Sequence, residues 1–85
     1  MSKFEKLKHK IKTGQSISYA EAETFLLKLG FTVRSKGSHH VFSKDGYSKN
    51  ISIKKCPQLL AYQMNLIAEA LEIVEKMEVI EKNEN

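Results

Sequence analysis

Eighty-five residues, 41% of them hydrophobic, make one small domain with a modest packed core, which argues against disorder. No apolar run reaches the roughly 18–20 residues that span a bilayer, the segment 1–8 lacks the apolar stretch of a signal peptide, and the single cysteine excludes an internal disulfide, so a cytoplasmic location is expected. The net charge of +4 is unevenly spread: residues 1–55 carry 12 Lys and Arg against 4 Asp and Glu, and residues 56–85 carry 2 against 6. A basic body with an acidic tail points to an anionic partner, nucleic acid foremost, or else to solubility alone.

In chain order, Phe4, Leu7 and Ile11 recur at helical spacing among Lys3, Lys6, Lys10 and Lys12, which predicts a short amphipathic helix stopped by Gly14. Its basic face either touches phosphates or is simply solvated. Ser18-Tyr19-Ala20-Glu21 is a capping box that opens a second helix, with Tyr19, Ala22, Phe25, Leu26 and Leu29 as its buried stripe and Gly30 just past its end. The period then becomes two. Phe31 to Arg34 reads as a strand, Ser35 to Ser38 as a turn, His39 to Ser43 as a second strand, Lys44-Asp45-Gly46 as a hairpin turn and Lys49 to Lys54 as a third strand.

Pro57 suits the first turn of a last helix, expected over residues 57–76, with Leu60, Met64, Ile67, Leu71 and Val74 on one stripe and Leu66, Ala70, Ile73 and Met77 beside it. That band is wide enough to cover the first helix as well as the sheet. Glutamates at the far end oppose the helix dipole, so residues 77–85 are expected to fray as an acidic tail. The order is α-α-β-β-β-α, an α+β two-layer sandwich in which an α-β-β-β-α core over residues 16–76 follows a basic N-terminal extension, residues 1–15. Both main helices should cover one sheet face, burying Leu26, Ile51, Ile53, Leu60, Met64 and Ile67 together, and leave the other face free to bind.

Chemistry concentrates at Gly37-Ser38-His39-His40-Val41-Phe42. Histidine exchanges protons near neutral pH, and Arg34 and Lys36 stand close enough in sequence to hold a phosphate. In RNA cleavage the 2′-OH attacks the adjacent phosphorus. A base must take its proton, an acid must protonate the departing 5′-oxygen, and cations must stabilise the charge. His39 suits the proton step, and Arg34, Lys36, Lys54 and Lys55 suit the charge; the alternative is a surface histidine on a solvated strand. His39 and His40 leave opposite faces of their strand, so only one meets a given ligand. Adjacent strand residues chelate poorly and Cys56 offers no second ligand at zinc spacing, so no metal is expected. Cys56 reads as a helix-cap or core residue, and His9 as exposed. No P-loop and no G-x-S-x-G motif occurs.

The helix ending Leu29-Gly30-Phe31, the Arg34-x-x-Gly37-Ser38-His39-His40-Val41-Phe42 core, the Ile51-Ser52-Ile53 strand and Leu60-Ala61-Tyr62-Gln63 together resemble the HicA toxin family over roughly residues 18–72. The resemblance implies a fold like that of double-stranded-RNA-binding domains. It also implies an endoribonuclease that cleaves mRNA without metal or small-molecule cofactor and is held inactive by a HicB-like antitoxin. The family's active histidine corresponds to His39, and Arg34, Lys36, Ser38, His40, Lys54 and Lys55 are the candidate RNA-binding residues. The chain departs from the family in its basic N-terminal segment, in its longer, more acidic last helix, and in Lys54-Lys55-Cys56-Pro57, where short members often carry a second histidine. The general acid is then a lysine, a water, or His39 acting in both roles in turn. The rival reading is a non-catalytic RNA-binding or protein-interaction module on the same fold.

Overall fold

A computed structural model describes residues 2–83, in the order α1 (Lys3–Lys12), α2 (Tyr19–Lys28), β1 (Thr32–Lys36), β2 (His39–Lys44), β3 (Tyr47–Lys54) and α3 (Ala61–Asn83). The fold is α+β. Each early helix begins where a serine can accept from an otherwise unpaired amide. Ser2 Oγ accepts from the Glu5 amide at 3.2 Å, and Ser18 Oγ accepts from that of Glu21 at 3.2 Å. Glu21 completes the box by accepting from the Ser18 amide at 3.0 Å. The neighbouring Lys10 and the Ser18 amide hold the Glu21 carboxyl below its usual range, the amide most.

The strands form one antiparallel sheet in the order β1-β2-β3. Lys36 pairs with His39, so the first turn narrows to Gly37-Ser38, and Lys44 pairs with Tyr47 across Asp45-Gly46. Ser35 and Lys36 are therefore strand rather than turn, and β3 starts two residues before the expected Lys49. Gly37 turns the chain with φ +63°, left-handed backbone that a side chain disfavours. Between Phe42 and Lys44 the register slips by a bulge.

Alternation along the paired strands sorts the side chains. Phe42, Ile51 and Ile53 are buried on one face beneath the helices, together with Phe25, Leu26, Ile67 and Leu71. α1 joins the same helical layer: Phe4 stacks on Phe25 with ring centroids 4.9 Å apart, and Glu75 of α3 accepts from Lys8 at 2.7 Å and Lys12 at 3.3 Å. The broad apolar band of α3 thus serves both the sheet and α1. Among the described residues, no helix is long and apolar enough to cross a membrane.

The last helix departs from expectation at both ends. It starts at Ala61, not near Pro57, and Leu60 is 60% exposed while Leu59 is 4% exposed. The cause is tertiary. The Leu59 amide donates to Ile17 O at 2.9 Å, Ser16 Oγ donates to Leu59 O at 3.0 Å, and the Tyr19 amide donates to Cys56 O at 3.2 Å. These bonds tie the segment flat against residues 16–19, drive Leu59 into the core in place of Leu60 and delay the helix, whose first turn is then closed by Gln63 Oε1 accepting from the Leu60 amide at 2.9 Å. At the other end helical backbone runs on to Asn83, seven residues past the expected end at residue 76, so 77–83 are continuous with α3; residues 84 and 85 lie outside the described residues.

Candidate nucleic-acid interface

Because β1, β2 and β3 are paired in a fixed register, the residues that leave the sheet opposite the core can be read row by row. Lys36, His39 and Lys54 are direct cross-strand partners and form the first row. Partners of this kind hold their Cβ atoms about 5 Å apart. Arg34, Val41 and Ser52 form the next row. All of these except the half-buried Val41 are exposed, and no helix crosses this face among the described residues. The turn glycine sets up the arrangement: by closing the hairpin in two residues it makes His39 the partner of Lys36, and the register of β3 then brings Lys54 to its other side.

His39 therefore stands between two ammonium groups, with a guanidinium in the adjoining row. A phosphodiester laid across the row would meet a proton acceptor at the centre and cations on both flanks. Charge-assisted contacts of this kind hold phosphate strongly. Ser38, in the turn, adjoins the row and is exposed. Lys55 follows the end of β3 and is exposed. It lines a recess with Ser18, Tyr19, Ala20, Cys56 and Pro57, beside the start of α2.

His40 is not brought to this face. Its ring packs on Tyr19, with centroids 4.9 Å apart, and Ser35 Oγ lies 3.2 Å from its Nδ1. It is half-buried on the helical side, where it holds the strand to α2. Tyr19 in turn donates to Glu23 at 2.8 Å, and burial together with that acceptor pushes the phenol well above its usual pKa. The expected pairing of His40 with RNA therefore has no support in its placement. Lys49 also points away from the open face: it pairs with Glu69 of α3 at 2.6 Å, which raises its pKa and ties β3 to the last helix. Of the two readings of Cys56, helix cap or core residue, its placement fits the second: it is half-buried against the core, and its thiol donates to Gln58 O at 3.4 Å, five residues before α3 begins. His9 is exposed on α1.

Sequence reasoning overlooked the uncharged members of the open face: Val41 and Ser52, and beyond them Thr32, Ser43 and Asn50. The signal was present in the alternation. Once Ile51 and Ile53 are assigned inward, Asn50, Ser52 and Lys54 must point outward. Among the described residues no group of His, Cys, Asp or Glu is placed to hold a metal ion. Comparison with family models, with curated proteins and with solved structures finds no match to this chain.

Proposed function

We propose that the protein is a cytoplasmic endoribonuclease of the HicA type, the toxin of a toxin–antitoxin pair, and that His39 is its catalytic residue. The observation that carries the reading is the row Lys36–His39–Lys54 on a sheet face that no helix covers. With RNA across that row, His39 takes the proton of the 2′-OH. The 2′-oxygen bonds to phosphorus, and the bond from phosphorus to the 5′-oxygen breaks. The 5′-oxygen leaves with a proton from the general acid: a flanking lysine, a water, or His39 itself after it has taken the first proton. The products are a 2′,3′-cyclic phosphate and a free 5′-OH, and no redox step or added reactant is needed. Arg34, Lys36 and Lys54 offset the charge that builds on the phosphoryl oxygens.

The antitoxin in this reading is a HicB-like protein with acidic residues that meet Arg34, Lys36 and Lys54 and cover His39. A second reading, a binding module without catalysis, is favoured by one observation: His39 has no hydrogen-bond partner among the described residues to orient its ring, as catalytic bases commonly have. Cleavage of single-stranded RNA decides between them. The wild type should cut RNA and spare DNA, which lacks the 2′-OH. His39→Ala should lose about 10²–10⁴-fold in rate while RNA affinity stays nearly unchanged. His40→Ala should cost less, since that ring lies on the other side of the sheet. An His39→Ala variant that cuts as fast as wild type removes the assignment. Normal RNA binding by the wild type without cleavage favours the module.

A further inference from the structure

The open face continues past its basic end. Rows of outward side chains on a sheet follow one another at about 7 Å, so a third row lies about 13 Å from His39. That row is formed by the partners Thr32 and Ser43, with Asn50 on β3 beside them. Its character is different: two hydroxyls and an amide replace lysine, histidine and lysine. At this end, where the register slips after Phe42, lies a groove of about 480 Å³, lined by Gly30, Thr32, Ser43, Lys44, Asp45, Tyr47 and Asn50. Gly30, in the groove wall, has φ +102°, left-handed backbone that a side chain disfavours. One lysine and one aspartate give the lining no net charge. Thr32 Oγ1 donates to Ser43 O at 3.3 Å. No side-chain hydrogen bond within the described residues engages the Asn50 amide, which is exposed.

We propose that this groove is a base-recognition subsite that takes an unpaired adenine flanking the phosphate held at His39. The inference rests on the reading that the open face binds RNA. A strand whose phosphates lie on Arg34, Lys36 and Lys54 and which continues along β2 places a nucleotide further along the same face. A groove without net charge has little pull on another phosphate, so what it receives is a base. Unpaired bases present their edges for hydrogen bonding. The Asn50 amide offers a donor and an acceptor in a plane, the pair that matches N7 and the N6 amino group on the Hoogsteen edge of adenine, an edge on which no other base pairs a ring-nitrogen acceptor with an amino donor. The Thr32 and Ser43 hydroxyls add contacts that donate or accept as needed.

The test uses short single-stranded RNA oligonucleotides that differ at one flanking base. Each is made both with 2′-O-methyl groups, so that it cannot be cut, and with free 2′-OH groups. Wild-type protein should bind the adenine oligonucleotide about tenfold more tightly than the uracil one. Asn50→Ala should erase that preference and leave the salt dependence of binding unchanged. Asn50 is exposed, so the substitution leaves the fold intact. Equal binding of all four bases by the wild type, or a preference that survives Asn50→Ala, overturns the subsite. Base-selective binding without cleavage of the 2′-OH versions keeps the subsite and removes the nuclease; cleavage without base preference does the reverse. Failure to bind any oligonucleotide overturns both.

Discussion

Lysine is spread over two surfaces of this protein, and a salt titration of RNA binding can tell which of them meets phosphate. Arg34, Lys36 and Lys54 stand on the open sheet face, whereas Lys3 and Lys6 are exposed on α1, in the helical layer. If single-stranded RNA lies on the sheet, three phosphate contacts at about −0.7 each give a slope of about −2 for log affinity against log salt. Affinity then falls about 18-fold between about 50 and 200 mM salt. Lys36→Ala removes one contact, so the slope should become about −1.4 and the same salt interval should cost only about 7-fold. Lys6→Ala should leave the slope at about −2. Fluorescence anisotropy of a labelled oligonucleotide at four or five salt concentrations measures both, with His39→Ala as the background in which RNA is not consumed. A slope that changes for Lys6→Ala and not for Lys36→Ala would move the interface to α1 and refute the placement of phosphate on the sheet. Affinity indifferent to salt would refute phosphate binding by either surface.

Two further outcomes test the fold. Leu59→Ala should destabilise by about 2–5 kcal/mol, since it empties a core position, and lower the melting temperature by at least about 8 °C. Leu60→Ala, at an exposed position, should stay within about 0.5 kcal/mol of wild type; equal effects in thermal unfolding would undo the register of this segment. Lys8 and Lys12 hold the Glu75 carboxyl below its usual pKa, the Lys8 hydrogen bond contributing most. A lowered folded value contributes stability that is fully present above the ordinary carboxylate value of 4.5 and is lost as pH falls through the lower folded one. Glu75→Gln should therefore narrow the gap between the melting temperatures at pH 7 and pH 3; an unchanged gap would show that the ion pairs of Glu75 with Lys8 and Lys12 add nothing.

Local chemistry was legible in this sequence wherever a short pattern decides the outcome alone. The Ser18–Glu21 capping box forms as written, because both of its hydrogen bonds close within one turn of chain. The change of period at Phe31 marks the sheet, since the inward residues of β2 and β3 have no other apolar surface to join. What escaped was decided at a distance. Cys56 to Leu60 carries a reasonable helix start after proline, yet its amides and carbonyls bond to residues 16–19, some forty positions earlier in the chain. A window of neighbouring residues holds no trace of that. The site divides the same way. His39 and its lysines were visible as residue types, but that Lys36 and Lys54 flank it depends on a turn of two residues rather than four. The fate of His40 depends on Tyr19, which is nowhere near it in sequence.

The edge strand β1 has one more consequence. All five of its residues are exposed, and an edge strand presents unpaired amides and carbonyls on which another chain can extend the sheet. Arg34 and Lys36 crowd that edge with like charge, so two copies brought edge to edge would repel each other. Neutralising them for the sake of a binding experiment also strips this protection. Such variants, left concentrated and without RNA, are where sheet-to-sheet self-association should first appear.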